Sequence, residues 1–330
     1  MVNKFILQWH ITSACNLRCK HCYQNDYQVV QLTKDQLWQI LAQYRKLLQE
    51  LKVVGHINLT GGEPLLSPYF YDLLAEFEKD KELYSFSILT NGSLINEENA
   101  GIIARYGPEY VQLSLEGNRK TNDNIRGLKS YKQVATAVKQ LRKQGTFVSL
   151  AFTAHKQNYK EFPQVVDFAL KNQVNNVWSD RYIPLADDKT LETLNAQETQ
   201  EYLQIMHDQH LRLQRRKNCH TTVAMYRALQ FLKTGEFAYA CTAGKTLLTV
   251  MENGDLVPCR RLPLIVGNVL ESDMLTLLKN NKTLQKLKSN AIPRECQGCE
   301  HEKSCQGGLK CLTYALYGDL DHKDWGCILE

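Results

Sequence analysis

No stretch of this 330-residue chain is long and apolar enough to span a bilayer. No charged start, apolar core and small-residue cleavage site marks it for export either. A membrane span and a secretory route are thereby removed, and a cytoplasmic location is expected. A dominant charge is also missing. Lys and Arg total 40 against 35 Asp and Glu, and the resulting +5 is spread along the chain, which argues weakly for nucleic acid. The densest basic run, Arg212, Arg215, Arg216 and Lys217, reads as a solvated helix end. Cysteine is absent from residue 23 to residue 218, yet the chain has 11 of them, three by residue 22 and the rest from 219 onward. Without an export signal, that many thiols point to metal or redox chemistry and away from a disulfide framework. Their placement divides the chain in two, and its length suffices for one barrel-sized domain plus a smaller one.

Between residues 5 and 182, short β-rich runs alternate with amphipathic stretches. Strands are predicted at Phe5–Thr12, His56–Thr60, Ser85–Thr90, Tyr110–Leu115, Thr146–Thr153 and Asn176–Tyr182. Helices are predicted over Lys34–Leu51, Pro68–Lys79, Asn96–Tyr106, Tyr131–Gln144 and Lys160–Asn172, with Thr33 and Ser67 as start signals. Six such units in series make an α/β fold of parallel strands with right-handed crossovers, either partly closed as a barrel or laid out as an open sheet. In both, ligands sit at the carboxyl ends of the strands. The residues just after each strand are therefore the candidate site.

After the first strand come Cys15, Cys19 and Cys22, in a CxxxCxxC spacing. Three thiolates this close can hold three irons of a [4Fe–4S] cubane and leave the fourth iron without a protein ligand. A zinc site or three plain thiols are the bland alternatives. Zinc usually draws on paired CxxC or Cys/His spacings; no partner CxxC lies nearby, and His21 is cramped between Cys19 and Cys22. The run Ala14-Cys15-Asn16-Leu17-Arg18-Cys19-Lys20-His21-Cys22-Tyr23 resembles the cluster signature of radical S-adenosylmethionine (radical SAM) enzymes. The resemblance implies that the open iron chelates SAM, whose reductive cleavage yields methionine and a 5′-deoxyadenosyl radical. It also implies a partial (β/α)6 TIM-type barrel, the choice that composition leaves open.

Gly61-Gly62-Glu63-Pro64, after the second strand, resembles that family's GGE motif, in which backbone and Glu bind the SAM ammonium. Glycines admit close backbone approach, and a carboxylate complements a cation; taken alone, the run is equally an ordinary turn. Thr90 and Asn91 after the third strand, and Ser114 and Glu116 at the end of the fourth, are similar to positions that contact the SAM ribose and carboxylate. Arg126 is similar to an arginine paired with that carboxylate, and His21 and Tyr23 to residues flanking adenine. Without the resemblance, Asn91-Gly92 is a turn and Arg126 a solvated side chain.

The carboxyl-terminal third carries a second pattern. Cys241, Gly254 and Cys259 are followed by Cys296-x2-Cys299-x5-Cys305, then Cys311 and Cys327. Residues 247–257 read as a β-hairpin with an Asn253-Gly254 turn that brings Cys241 near Cys259, and 274–287 as a connecting helical stretch. The pattern resembles the SPASM extension of radical SAM peptide maturases, with one departure: Leu309 stands where a cysteine is expected, and Cys311 lies two residues on. The resemblance implies that Cys296, Cys299, Cys305 and Cys327 hold one auxiliary cluster, and Cys241, Cys259 and, by a register shift, Cys311 another. That makes three [4Fe–4S] clusters. Cys219 is open among a fourth ligand, a catalytic hydrogen-atom donor and a small buried filler. A zinc ribbon is the alternative for the whole module.

The expected division is a radical SAM core at 1–189, bridging helices at 190–235 and a SPASM module at 236–330. The expected activity is hydrogen abstraction from a residue of a ribosomally made peptide, giving a cross-link or an epimerised centre. Formylglycine formation is an alternative, although Arg260 occupies the place of that family's aspartate base. Tetrapyrrole side-chain modification is another, its acidic substrates suiting Arg181, Arg260 and Arg261. An iron–sulfur or zinc scaffold is the non-enzyme alternative, which leaves GGEP and the polar strand ends unexplained. A peptide substrate and a reductant such as flavodoxin or ferredoxin are the expected partners, with no nucleic acid and no membrane. Only fourteen residues precede Cys15, too few for a leader-binding domain, so leader recognition is expected to need a separate leader-binding protein or a leader strand paired with an exposed sheet edge, or there is no leader. Asp26, Asp180, Arg181 and Tyr182 are candidates to face substrate.

Overall fold

A computed structural model of the chain describes residues 4–26, 28–185, 190–235, 238–289 and 291–329. The core alternates β1 (Lys4–His10), α1 (Lys34–Leu51), β2 (Val54–Thr60), α2 (Phe70–Glu78), β3 (Tyr84–Thr90), α3 (Glu97–Arg105) and β4 (Val111–Ser114). It continues through α4 (Arg119–Arg126), α5 (Ser130–Lys143), β5 (Val148–Ala154), α6 (Phe162–Lys171) and β6 (Asn176–Arg181). These six strands are parallel and neighbours in sequence order.

Local chemistry sets the elements. In α1, Thr33 and Gln36 form a reciprocal capping box, and Leu37, Ile40, Leu41, Tyr44, Leu47 and Leu48 recur at helical spacing to make its buried face. Along each strand, one set of alternate residues packs under the helices: Leu7 and Trp9, Ile57 and Leu59, Val111 and Leu113 are fully buried. Each such side chain contributes roughly 1.5–3 kcal/mol by leaving water. The other set is polar and faces a central cavity: Gln8 and His10, Asn58 and Thr60, Gln112 and Ser114, Asn176 and Asp180.

Beyond β6 lie α7 (Ala196–Gln214), β7 (Thr222–Val223), α8 (Phe231–Thr234), β8 (Leu247–Val250), β9 (Asp255–Val257) and β10 (Gly267–Asn268). The chain ends with α9 (Met274–Asn280), α10 (Lys282–Lys288), α11 (Glu302–Cys305) and α12 (Lys310–Tyr317). The sheet does not stop at the sixth strand. Its order is β10-β9-β8-β1-β2-β3-β4-β5-β6-β7, so β7 extends one side and the β8–β9 hairpin joins the other, with β8 parallel to β1.

Two elements differ from the sequence expectation. Helix α4 has a single large apolar residue, Ile125, and no amphipathic pattern; it forms because Asn118 accepts from the Lys120 and Thr121 amides. The stretch 274–287 is two helices, because Asn281 ends α9 and caps α10 by accepting from Thr283 and Leu284.

Candidate active site

The loop after β1 carries the three amino-terminal thiols. Ser13 anchors it, its hydroxyl donating to Gln28 O at 2.9 Å and its amide to Val30 O at 3.1 Å. The Cys22 amide closes a turn on Cys19 O at 3.0 Å, and the Lys20 amide donates to Ile125 O at 3.0 Å. Cys15, Cys19 and Cys22 are all free and half-buried, and all line one cavity of about 750 Å³ at the carboxyl ends of the strands. Burial, then the charges of Glu63 and Cys22, push Cys15 up; burial and both neighbouring thiols push Cys19 up. Three soft donors without a carboxylate among them fit an iron–sulfur cluster and not a hard cation.

The Gly61-Gly62 loop lies flush against this loop. The Gly62 amide donates to Thr12 O and the Glu63 amide to Ala14 O, each at 2.8 Å. A Cβ on Gly61 would come within 2.4 Å of Thr12 O, and one on Gly62 within 2.4 Å of Ala14 O, so only glycine permits the approach. Both glycines line the cavity.

Glu63 lies beneath the glycine loop. Its carboxylate is fully buried, turned from the cavity, and accepts from Thr90 Oγ1 at 2.7 Å and from the Asn91 and Leu65 amides at 2.8 and 3.3 Å. It is a strut between the glycine loop and the end of β3. Thr90 and Asn91 line the cavity, but the Thr90 hydroxyl is given to Glu63 and Asn91 Nδ2 to Asn16 Oδ1 at 3.0 Å.

Glu116 is likewise buried behind the wall. It accepts from Arg126 Nη1 and from the Thr153 amide, each at 2.9 Å, and lies 3.3 Å from His21 Nε2. Burial opposes its ionisation, but the charges of His21 and Arg126 prevail and bring its pKa down to about 2. Glu116 thus orients two residues that do face the cavity. On them, Arg126 Nε and His21 Nδ1 are buried without a hydrogen-bond partner. Unsatisfied polar atoms beside three thiols are what a polar ligand such as SAM would complete. Ser114 lines the same wall.

The opposite wall belongs to the carboxyl-terminal third. Cys241, Cys259 and Cys311 all line the cavity. Cys311 is pushed up to about 12, first by burial and then by Cys259 and Cys241 against Arg261; Cys241 is raised by burial and by Cys259. Two glycines precede Cys311. Gly307 and Gly308 take φ +82° and +71°, a Cβ on Gly308 would sit 2.4 Å from Asp324 Oδ2, and the doubled turn places Cys311 in the first turn of α12. Leu309 is buried, and its amide donates to Asp324 Oδ2 at 2.9 Å.

Cys296, Cys299, Cys305 and Cys327 form a separate group. Burial, then Cys327 and Cys299, raise Cys296; burial, then Asp324 and Cys299, raise Cys327; and burial, then Asp324, Cys327 and Cys296, push Cys305 up to about 11. None of these four thiols lines the cavity.

Cys219 joins neither group. It precedes β7, whose Thr222 pairs with Asn176 at the amino end of β6, a strand's length from Asp180; its thiol donates to Thr221 O at 3.4 Å. It does not line the cavity, and it packs against the core as a small filler. Among the other candidates, Asp180 and Arg181 line the cavity, whereas Tyr182 is buried beside His155 and exposed Asp26 accepts from the Gln28 amide at 2.9 Å. Tyr23 faces the carboxyl-terminal wall, its ring 5.7 Å from the Arg260 guanidinium.

The cavity also holds residues not singled out from the sequence: His10, Trp178, Arg227 and Tyr239. The polar member of each strand's alternation was the available signal. Gln8-x-His10 and Gln112-x-Ser114 interrupt runs that a fully apolar barrel core would fill with branched side chains.

Residues 9–169 match the radical SAM superfamily, and residues 241–300 match the SPASM iron–sulfur cluster-binding domain. The chain is a radical SAM enzyme with a SPASM domain. Its cofactors are SAM and iron–sulfur clusters. The AdoMet-dependent heme synthase of Methanosarcina barkeri is 24% identical over 98% of this chain and 96% of its own length. The mycofactocin maturase MftC of Mycobacterium tuberculosis is 25% identical over 98% and 82%. Among solved structures, Streptococcus suis SuiB bound to its precursor peptide SuiA superposes with a TM-score of 0.79 at 20% identity, covering 100% of this chain and 77% of SuiB. Among the described residues, no helix is long and apolar enough to cross a membrane.

Proposed function

We propose that this enzyme abstracts a hydrogen atom from a residue of a ribosomally made peptide and directs the resulting radical to a cross-link or an epimerised centre. When bound, SAM and its cluster supply the hydrogen-abstracting 5′-deoxyadenosyl radical. The chain's own residues do the rest. Cys15, Cys19 and Cys22 hold the SAM-binding cluster; Gly61, Gly62, Thr90, Asn91, Ser114 and Arg126 line the pocket for SAM, with Glu63 and Glu116 bracing it from behind and Tyr23 packed between the cluster loop and Arg260. Cys241, Cys259 and Cys311 hold a second cluster on the far wall, and Cys296, Cys299, Cys305 and Cys327 a third, within the division 1–189, 190–235 and 236–330.

The observation that carries this reading is the sharing of one cavity by two thiol trios, one from each domain, with unsatisfied polar atoms on the SAM side. A substrate lying between them meets a radical source at one face and an electron acceptor at the other. The maturase relatives and the superposition on a peptide-bound enzyme support a peptide as the occupant. A second reading, tetrapyrrole side-chain modification, is favoured by the near full-length heme synthase relative and by the arginines of the far wall. The external reductant is a low-potential electron carrier such as a flavodoxin or ferredoxin.

Anaerobically reconstituted enzyme given SAM and dithionite should form 5′-deoxyadenosine, and a candidate peptide should then lose two hydrogens on cross-linking or take one solvent deuterium on epimerisation. A preparation with all three amino-terminal thiols intact that forms no 5′-deoxyadenosine refutes the reading.

A further inference from the structure

The arginines that line the cavity are unequally compensated. Arg181 is taken up by Asp324, its Nη1 and Nη2 donating at 2.5 and 2.7 Å, and Arg126 by Glu116. Arg227 and Arg261 share a single carboxylate oxygen, Asp180 Oδ2, each at 2.9 Å. Arg260 has none. Its Nη2 donates to the backbone oxygen of Tyr23 at 2.7 Å and its guanidinium rests over the Tyr23 ring; among the described residues no carboxylate lies within ion-pair distance. Glu252 also lines the cavity, without an ion pair to these arginines. Three guanidinium groups therefore face the cavity, and among the described residues Asp180 is the one carboxylate in ion-pair contact with them.

A half-buried cation that could be paired and is not carries a desolvation cost that a ligand anion would repay. Arginine suits that task, being weakly hydrated and presenting a planar fork that matches a carboxylate. The surroundings fix the fork: Tyr23 stacks on Arg260, and Tyr239 and Trp178 hold Arg227 from 4.7 and 5.7 Å. A second, independent observation marks the same place. His10, more than nine-tenths buried, lines the cavity close enough to feel the charge of Arg260, and its Nε2 has no hydrogen-bond partner. A neutral imidazole with an unused nitrogen, next to an unpaired guanidinium, makes a mixed site for an acidic group.

We infer that Arg260, with Arg261 and Arg227, forms a carboxylate clamp that orients an acidic substrate between the two cavity-lining thiol trios. This rests on the reading above only in taking the cavity as the substrate cavity. The carboxylate comes from an acidic peptide side chain or from a propionate on a macrocycle; the chemistry recognised is the same, and the test separates the sources. The clamp is a specificity and positioning device, and the Asp180 carboxylate is its spacer, keeping two arginines from repelling each other.

The test is equilibrium dialysis of anaerobically reconstituted enzyme with SAM against two matched pairs. One pair is acetyl-Gly-Glu-Gly-amide and its glutamine counterpart; the other is coproporphyrin and its methyl ester. Wild-type enzyme should bind one of the acids at least tenfold more tightly than its neutral partner, and the identity of that acid names the source. The preference should disappear in Arg260→Gln and return in part in Arg260→Lys, which keeps the charge without the fork. If neither acid outcompetes its neutral partner in wild type, or if a folded, iron-replete Arg260→Gln keeps the preference, the clamp is overturned. The two readings fail separately. Enzyme that forms 5′-deoxyadenosine but ignores the carboxylate refutes the clamp alone, and enzyme that prefers the acid but cleaves no SAM refutes the radical reading alone.

Discussion

At the scale of single residues, identity was legible and direction was not. Gly61, Gly62 and the amino-terminal thiols could be assigned from spacing because their chemistry lies in the backbone or in one donor atom. Glu63 and Glu116 could not. A carboxylate near a cation site reads as a contact, yet both point into the protein and brace what does touch the cavity, because a strand-end side chain serves whichever unsatisfied donors its loop leaves buried. His10 was missed for the opposite reason, since a lone histidine in an apolar strand looks like core. Its buried ring is held neutral, with a pKa lowered to about 3, by burial and by Arg260. In the unfolded chain the imidazole titrates near 6.5. Below that pH the unfolded state binds a proton that the folded state refuses, so His10 costs stability as pH falls and nothing above pH 7. His10→Gln should narrow the stability loss between pH 7.5 and pH 5.5 by about 1 kcal/mol, seen as a smaller drop in thermal midpoint than wild type shows. An identical drop in both would place the protonation elsewhere.

At the scale of elements, the six strand–helix units were legible because each pairs a β-rich run with a capped amphipathic helix. Helix α1 was bounded correctly by Thr33 and Leu51. What escaped was structure without periodicity: the polar helix α4, and the loop before α12, where the spacing departs from the SPASM pattern. There the doubled glycine does the positioning. Gly308 holds φ +71° against the Asp324 carboxylate, which also receives the Leu309 amide. Gly308→Ala forces a side chain into the left-handed region and into Asp324, at a cost of about 1–3 kcal/mol. The expected result is a lower thermal midpoint together with a loss of iron from the far-wall trio, read by metal analysis. A variant with wild-type iron content would show that the loop tolerates the clash and does not set the place of Cys311.

At the scale of the whole molecule, the cysteine distribution suggested two parts, but the sheet joins them. Strand β8 pairs with β1, and near the other end of the chain Asp324 grips Arg181 at the end of β6. The SPASM segment therefore straddles the barrel opening, held at both the first and the sixth strand, which no local pattern in the sequence announces. Asp324→Asn leaves Arg181 buried and unpaired and should cost about 3–5 kcal/mol, visible in the midpoint of denaturant unfolding. The same embrace puts one thiol trio on each wall and leaves Cys219 at the amino end of the sheet, and this makes the cofactor arithmetic testable. Three cubanes require about twelve irons per chain. Cys219→Ser should keep that number, because its thiol is turned to Thr221 O and does not line the cavity. Cys311→Ser should lose about four irons, because the far-wall trio has no cysteine in the described structure to spare, while Cys15, Cys19 and Cys22 keep theirs and 5′-deoxyadenosine still forms with dithionite. Should Cys219→Ser lose iron to the same extent as Cys311→Ser, the two thiols share a cluster, and the segment from 215 to 222 must reach the cavity by a path other than the one β7 now takes.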